Sequence, residues 1–437
     1  MIATPADLAL CEFIAQLGLA DVPAAARDRM ALALADMAAV CVGGRPAPAG
    51  VMAADHARAL HPAPEAALLL DGSRAGAPGA AFANGVLANV LDYDDGHRLT
   101  KGHPGAVIIP AALAVAQLAD ASEHDFMAAV IVGYEVAIRA GIALHGRDPA
   151  YHASGAWGAV GAAAAAARLL GLDGPQTLSA VGLAEYHAPI APIMRSCAEP
   201  RMTKDACAWG ASAGVTSALL AARGFTSVRP EFLDAQLDDL GRRWRVQELY
   251  VKPYPCCRWS QGAIAAGLTA RGDRRLRAGD VARVRVRVFA AADGLATIVP
   301  ETTEEAQYSL LWPLACALVH GRFGVEEVLG PFTDPEVIAM FHRIEVVVDD
   351  ELTAAFPARR RSAVEIELAG GRRLQAGPME AAGEPDDPGL PALVADKVGR
   401  LVGDGVDERH GDGGLRERDA AQLLALMCDG AAVMADA

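Results

Sequence analysis

The stretch DYDDGHRLTKGHP carries the densest group of residues that could move a proton. It holds three carboxylates, Asp92, Asp94 and Asp95, and two histidines, His97 and His103. A carboxylate can orient an imidazole, which then takes up or releases a proton near neutral pH. The spacing matches neither a DxDxDG calcium loop nor an HExxH zinc motif. The stretch therefore predicts an acid/base site without a metal, in which His103 moves the proton and His97 is a candidate for ligand contact.

Three polar residues stand where helices are expected to begin. His103 precedes a proline, which is favoured at the first helical position. His152 lies just before the N-cap candidate Ser154, and Lys204 follows the N-cap candidate Thr203. A lysine in a first turn opposes the helix dipole, and an anion bound there would explain it. If the three N-termini converge, they form a nest for a polycarboxylate in which neutral histidines act as bases. Taken singly, each histidine could instead cap its helix, and the lysine could reach water.

Arginines near these positions could hold substrate carboxylates, because a guanidinium binds a carboxylate through two parallel hydrogen bonds. Arg195 lies shortly before Lys204, and Arg258 follows two adjacent cysteines. For both, a surface position is the alternative. The arginines at 359–361 lie next to a predicted strand, where an edge-strand or dimer salt bridge is the favoured interpretation.

The elements that must position these residues are mostly helical up to about residue 225. Apolar residues recur there at helical spacing, and glycines and prolines separate the segments. After an amphipathic N-terminal helix, the predicted helices cover residues 23–42, 78–91, 104–119, 124–145, 155–170, 175–187 and 204–223. If the helix at 78–91 runs on, Asp92 and Asp95 share one of its faces.

The pattern changes after about residue 250. The segments 281–291 and 343–350 alternate with the period of a strand, and 362–377 has the form of a β-hairpin with a Gly-Gly turn. Helices are predicted around 303–320, 334–341, 390–402 and 416–435, with loops at 377–389 and at 403–414, which contains a solvated His410. The predicted fold class is mainly α, with a large all-α helical domain (1–250 and 390–437) and a smaller α+β domain (251–389).

Composition limits the possible partners. The chain has 437 residues and a net charge of −15 without a basic stripe, so no nucleic-acid partner is expected. The most apolar stretches, near 105–119 and 155–167, are too short to span a bilayer, and the first residues lack a basic n-region. Eight cysteines without a CxxC pair predict reduced thiols. We therefore expect a soluble, cytoplasmic protein without a membrane partner.

Several blocks of the sequence, in order, resemble the MmgE/PrpD family. They are NVLDYDDGH…GHPGAVIIPAALAVA, GYEVAIRAG (133–141), YHASGAWGAVGAAAAAARLLGL (151–172), MTKDACAWGASAGVTSALLAARGF (202–225), VKPYPCCRW (251–259) and EEAQYSLLWPLACAL (304–318). The family includes 2-methylcitrate dehydratases, cis-aconitate decarboxylases and iminodisuccinate epimerases. The resemblance implies an all-α larger domain, a smaller α+β lid domain, an active site between them, a homodimer, and neither a metal nor an organic cofactor. It also implies catalytic roles for Asp92, His103, His152 and Lys204, which fall on the signature positions.

The sequence departs from the family pattern at three positions. Gly96 stands where a threonine is common, and Gln261 stands where the YP.C…H block usually ends in histidine. Trp312, beside Tyr308, stands where the FS..Y block often has a tyrosine, which can donate a proton as tryptophan does not. The methylcitrate and cis-aconitate assignments are therefore not carried over whole. Substrate contacts are predicted for His97, Arg195, Arg258, Tyr308, Trp312 and Gln261.

The primary hypothesis is a cofactor-independent lyase of a di- or tricarboxylate, with a hydro-lyase favoured over a decarboxylase. His103 or His152 removes a proton α to a carboxylate, and Asp92 orients the base or acts as partner acid. Lys204, with a nearby arginine, holds carboxylates and stabilises enolate charge. One alternative is an epimerase or isomerase in the same pocket, with His103 and Lys204 acting from opposite faces. A second alternative is a non-catalytic carboxylate-binding homologue.

Overall fold

The computed structural model describes residues 4–234, 237–295, 297–402, 424–425 and 427–428. The described helices are α1 (Pro5–Gln16), α2 (Ala24–Gly44), α3 (Pro48–Leu60), α4 (Ala77–Asn89), α5 (Gly105–Leu118), α6 (Glu123–Arg147), α7 (Gly155–Leu169), α8 (Gly174–His187), α9 (Met194–Ala198), α10 (Cys207–Ala222), α11 (Arg258–Arg271), α12 (Thr303–Gln307), α13 (Leu311–His320), α14 (Val325–Leu329), α15 (Pro335–Phe341), α16 (Asp350–Ala355) and α17 (Leu390–Val402). The described strands are β1 (Ala66–Ala67), β2 (Arg74–Ala75), β3 (Gly96–His97), β4 (Leu249–Tyr250), β5 (Val281–Val288), β6 (Ile344–Val348), β7 (Ser362–Leu368) and β8 (Arg373–Met379). The protein is thus mainly helical, as predicted.

The helices pack closely because their contact faces carry alanine and glycine. In α7, the alanines of 162–167 are all buried. A β-carbon added at Gly161 of α7 would lie 2.2 Å from the main-chain oxygen of Gly133 in α6, so only glycine permits this approach. The close packing of α4, α5, α7 and α10 fixes the loops at their ends, which carry the candidate site residues.

A four-stranded sheet forms the centre of the second part of the chain. Its order is β6-β5-β7-β8, with β5 and β6 parallel and the other pairs antiparallel. In β5, Val284, Val286 and Val288 are buried and alternate with arginines, as the period-two pattern predicts. A short turn at 369–372 joins β7 to β8, so the predicted hairpin is confirmed. Helix α11 packs against β7 and β8 and begins with Arg258.

Two contacts tie the sheet-containing part to the helices. Strand β3 pairs with β4, which attaches the loop around Gly96 to the segment that precedes α11. Helix α17 packs on α2, and Lys397 Nζ lies 2.6 Å from Asp36 Oδ1 in the interior. The chain after the sheet therefore returns to the helices.

Two helix boundaries differ from the prediction where they matter for function. Helix α4 ends at Asn89, so Asp92 and Asp95 lie in a loop, and the expectation that they share a helix face is wrong. Helix α10 begins at Cys207 rather than at Lys204, and none of the predicted helix ranges covers α3, α9, α11, α14 or α16.

Further expectations from the sequence concern membrane-spanning segments, disulfides and the C-terminal part of the chain. Among the described helices, α6 is long and apolar enough to cross a membrane, as the bent pair α2–α3 would be together. The most apolar window of α6 is, however, 83% buried inside the protein. No disulfide joins the described cysteines. The predicted loop 403–414 with His410, and most of the predicted helix 416–435, lie outside the described residues.

Candidate active site

A cavity lies where the loop after α4 meets segments from the second part of the chain. Its charged and imidazole side chains are Asp92, Arg98, Lys101, His103, Asp205, Arg258 and Arg360. The rest of the wall consists of Tyr151, Ile193, Met194, Cys197, Tyr250, Cys257, Trp259, Tyr308, Phe356 and Pro357. Four cationic side chains therefore face two carboxylates, and this local excess favours an anionic ligand although the whole chain is acidic.

Asp92 supplies a carboxylate that stays ionised although it is buried. The residue follows the end of α4 with a left-handed backbone (φ 51°). Lys252 Nζ donates to both the Oδ1 and the main-chain oxygen of Asp92, each at 2.8 Å. Burial alone would raise the pKa of Asp92, but Lys252, Lys204 and His103 lower it below its usual value. The same carboxylate raises the pKa of Lys252 against the effect of burial, so the pair is ionic.

His103 is held in one tautomer by the main chain. Its Nδ1 lies 2.7 Å from the carbonyl oxygen of Asp95, and because a carbonyl only accepts hydrogen bonds, Nδ1 carries the proton. The lone pair of the neutral ring is therefore on Nε2, which lies 3.6 Å from Asp92 Oδ1. That distance is too long for a hydrogen bond, but Asp92 would stabilise a proton taken up at Nε2. This geometry leaves Nε2 of His103 able to accept a proton beside the Asp92 carboxylate.

Asp92, Asp94 and His103 also form a possible metal-ligand set, because one ligand atom of each lies within 4.8 Å of the others. The two carboxylates, however, already accept hydrogen bonds from other groups. Lys252 occupies Asp92, and Asn89 Nδ2 donates to both carboxylate oxygens of Asp94 at 3.0 and 3.2 Å. A cation here would have to displace an ammonium group with the same preference for the carboxylate. The arrangement fits proton transfer better than metal binding.

A second hydrogen-bonded chain links His103 to Tyr308. The main-chain N–H of His103 donates to Ser154 Oγ at 2.9 Å, and Ser154 Oγ donates to Asp205 Oδ1 at 3.2 Å. The phenol of Tyr308 donates to Asp205 Oδ2 at 2.9 Å. Burial, followed by the charges of Asp205 and Asp92, raises the pKa of Tyr308 well above its usual value. Tyr308 is therefore a neutral proton donor in the cavity wall, and Asp205 is a site residue that sequence reasoning missed.

Lys204 lies close to this network but outside the cavity wall. It does not stand in the first turn of α10 as predicted, because Lys204 and Ala206 adopt left-handed backbones (φ 40° and 52°) and the helix starts after them. Its Nζ donates a short hydrogen bond to Gln307 Oε1 and lies 6.0 Å from the Tyr308 ring centre. Burial lowers the pKa of Lys204, and the nearby carboxylates, Asp92 foremost, partly oppose the change.

The N-termini of α5, α7 and α10 do lie together. Ser154, at the start of α7, contacts His103 before α5 and Asp205 before α10 through its hydroxyl. The N–H of Gly155 donates to the Asp205 carbonyl oxygen at 3.0 Å. Ser154 thus bonds to neighbouring loops and makes no side-chain cap on its own helix.

His152 lies outside the cavity wall, although it precedes α7. Its Nε2 is 3.2 Å from Asp148 Oδ2, and its ring centre is 5.5 Å from that of His145 near the end of α6. The adjacent Tyr151 lines the cavity instead. The structure therefore gathers Asp92 and His103 at the cavity and separates His152 from them.

Four of the predicted substrate contacts also lie elsewhere. His97 Nε2 is 3.1 Å from Glu248 Oε2, and Arg195 is exposed on α9. Gln261 accepts a hydrogen bond from Arg258 at 2.8 Å, and its amide donates to two main-chain oxygens. Trp312 is buried and donates to the Glu327 carbonyl oxygen at 3.1 Å. Of the six predicted contacts, Arg258 and Tyr308 line the cavity.

The glycine at position 96 has a steric cause. A β-carbon there would lie 2.3 Å from the phenol oxygen of Tyr250, so Tyr250 fills the space that a threonine would need. Sequence reasoning missed Tyr250 and its neighbour Lys252. The only local signal was their position just before and at the start of the VKPYPCCRW block.

Comparison with known proteins identifies the family of the chain. The profile of the MmgE/PrpD N-terminal domain matches residues 8–237, and that of the MmgE/PrpD C-terminal domain matches residues 254–417. The chain therefore belongs to the MmgE/PrpD family, and the resemblance seen in the sequence blocks is confirmed.

Curated relatives are distant. A cis-aconitate decarboxylase-like protein of Aspergillus oryzae, oryM, is 27% identical over 289 residues, which cover 59% of this chain and 60% of that protein. Two cis-aconitate decarboxylase sequences from Aspergillus terreus are 22% and 23% identical over 349 residues, which cover 71% of each chain. The chain thus matches less than two thirds of the length of oryM.

Proposed function

We propose that this chain is a cofactor-independent lyase that acts on a di- or tricarboxylate by general acid/base catalysis. The observation that carries the proposal is the free Nε2 of His103, which faces the ionised Asp92 in a cavity with excess positive charge. The similar proteins are named cis-aconitate decarboxylase or cis-aconitate decarboxylase-like, and these names support assignment to the lyase class.

His103 is the base in this proposal. It removes the proton α to a substrate carboxylate at Nε2, and the Asp92 carboxylate stabilises the imidazolium that forms. Lys252 keeps Asp92 ionised and in place. We prefer His103 to His152 because His103 lines the cavity and His152 does not.

Tyr308 and Lys204 supply the acid side of the reaction. The raised pKa of Tyr308 keeps its phenol protonated at neutral pH, and the lowered pKa of Lys204 brings its ammonium nearer to proton release. Positive charge from Lys204 and Arg258 stabilises the enolate that forms when the α-proton leaves. Tyr308 can then protonate a departing hydroxyl group.

Two outcomes of this chemistry are open to the same residues. Loss of water needs a base and an acid, and the cavity offers both in His103 and Tyr308, so a hydro-lyase is the favoured reaction. Loss of carbon dioxide needs only a proton donor for the resulting carbanion, and the relatives' printed names favour this second candidate.

The proposal extends to the architecture. The cavity wall combines residues from 92–205 with residues from 250–360, so a hinge movement of the α+β part would open and close it as a lid. We also propose a homodimer, which light scattering behind a sizing column would test.

Proton NMR with a panel of acids tests the reaction class. The panel contains citrate, 2-methylcitrate, cis-aconitate, isocitrate, the tartrates and iminodisuccinate. An alkene proton that grows from a saturated acid indicates a hydro-lyase, and loss of one carboxyl group with release of carbon dioxide indicates a decarboxylase. Inversion at one carbon without elimination would replace the proposal by an epimerase. Saturable binding without any turnover would replace it by a binding protein.

A further inference from the structure

Three arginines converge on one carboxylate at the cavity wall. Glu384 Oε1 accepts from Arg258 at 2.8 Å and from Arg360 at 3.4 Å, and Glu384 Oε2 accepts from Arg98 at 2.5 Å. We call Arg98, Arg258 and Arg360 the arginine cluster. All three line the cavity, whereas Glu384 does not. They come from the loop before α5, the start of α11 and the segment before β7, so the fold alone brings them together.

The arginine cluster carries more positive charge than its partner neutralises. Arg258 is 5% exposed and Arg360 is 8% exposed, so two of the guanidinium groups are buried. Glu380, the other nearby carboxylate, binds Arg359 at 2.9 Å and is 4.0 Å from Arg98. Buried charge without a counter-ion is costly, and a bound anion would remove that cost.

One donor of the arginine cluster is unused. Among the described residues, no acceptor lies within hydrogen-bonding distance of the buried Nε of Arg360. The two terminal amino groups of Arg258, in contrast, donate to Gln261, Glu384 and two main-chain oxygens. An unpaired buried donor on a side chain that lines a cavity indicates a ligand that accepts a hydrogen bond.

Tyr250 holds two members of the arginine cluster in place. The guanidinium carbons of Arg258 and Arg360 lie 5.0 and 4.7 Å from the centre of its ring. Such stacking fixes the orientation of the planar guanidinium groups. Tyr250 in turn occupies the space that Gly96 leaves free, so a larger residue at position 96 would displace the ring on which these two arginines stack.

We propose that the arginine cluster is a subsite for a second carboxylate of the substrate, remote from the carbon that loses its proton. Among the described residues, the arginine cluster is hydrogen-bonded to Glu384 and to main-chain oxygens rather than to His103 or Asp92, and in this proposal it contacts a different part of the ligand. A carboxylate fits because its two oxygens match the forked donors of guanidinium groups. The inference rests on the proposed function, since it names how that site selects an acid with at least two carboxylates.

Kinetics with a matched pair of substrates test the subsite. The pair is the acid that is turned over best and its analogue with the remote carboxylate converted to an amide. Arg360→Gln should raise KM for the acid about 10- to 100-fold, as expected for lost hydrogen bonds to a charged group, and should leave KM for the amide nearly unchanged. Arg359→Gln, which removes the same charge from a residue outside the cavity wall, should match the wild type. An equal loss for acid and amide would overturn the proposal.

Binding separates this proposal from the proposed function. Calorimetric titration with tricarballylate should show binding in the wild type and in His103→Ala, and weakening of about tenfold or more in Arg360→Gln and Arg98→Gln. Arg98 is 31% exposed at its side chain, so its variant is expected to fold even if Arg360→Gln does not. Unchanged affinity in a folded Arg98→Gln protein would overturn the subsite, whereas turnover that survives His103→Ala would overturn only the catalytic role.

Discussion

Replacement of Lys252 by methionine tests the ion pair beneath the candidate base. Lys252 is fully buried, and its ammonium group donates to the carboxylate and the main-chain oxygen of Asp92. Methionine keeps the length and apolar stem of lysine but removes three donors and the charge. The variant therefore leaves the Asp92 carboxylate buried with one fewer counter-charge.

The expected loss of stability is large. Removal of one partner from a buried ion pair costs about 3–5 kcal/mol, which is a large share of a typical total of about 5–15 kcal/mol. In the wild type the pKa of Asp92 is lowered, so its contribution to stability is present above the pKa of the unfolded chain and is lost as pH falls through the folded-state pKa. The difference between wild type and Lys252→Met should therefore be greatest near neutral pH and should shrink below about pH 4.

Urea denaturation at a series of pH values measures both effects. Arg283→Met is the control, because Arg283 pairs with Glu367 at 3.2 Å on a partly exposed face, where such pairs contribute about 0–1 kcal/mol. The double variant Asp92→Asn/Lys252→Met should be more stable than the sum of the single changes predicts, since neither member of this ion pair is left buried without the other. The reasoning would be refuted if Lys252→Met lowered the free energy of unfolding no more than Arg283→Met does. It would also be refuted if the loss did not change with pH.

Three further predictions concern catalysis, metal and pH. His103→Ala and Lys204→Ala should each lower kcat/KM at least about 100-fold, and steady-state rates near wild type in both would remove their assigned roles. A chelator should leave activity intact and elemental analysis should find no stoichiometric metal, because the Asp92 and Asp94 carboxylates already hold other donors; activity that EDTA abolishes and a divalent ion restores would show the opposite. Burial raises the pKa of Asp95 to about 7, so the folded wild type retains a proton that the unfolded chain has lost, and it loses stability as pH rises from about 4 to 7. The free energy of unfolding of Asp95→Asn minus that of the wild type should therefore increase by about 2 kcal/mol between about pH 5 and pH 7. A difference that stays constant over this range would contradict the prediction.

Local sequence patterns predict the scaffold well. Helix α7 follows from its helical length and its glycine stop, and β5 follows from alternating valines and arginines. In both cases the residues that decide the structure are close neighbours in the chain, because burial repeats with the period of the element itself. His103 and Arg258 were also found from local signals, and Tyr308 was found from the family resemblance; all three line the cavity.

The parts that were missed depend on contacts across long stretches of chain. Lys252 meets Asp92 across 160 residues, and Arg98 meets Glu384 across 286 residues, so no local pattern reveals either pair. Lys204 was placed in a helix because Thr203 is a good N-cap. In the folded protein Asp205 bonds instead to Ser154 and Tyr308, and these distant contacts accompany the later start of α10.

The entry of deuterium from D₂O into the carbon α to a carboxylate tests the central claim most directly. Hydration of an alkene acid, decarboxylation and epimerisation would each place a solvent hydron at that carbon, and proton NMR follows its rate with the acid identified in the panel. We predict that His103→Gln slows this rate at least about 100-fold while Arg359→Gln leaves it unchanged. Deuterium entry at the wild-type rate in a folded His103→Gln protein would contradict the account, because the proton would then be moved by another group.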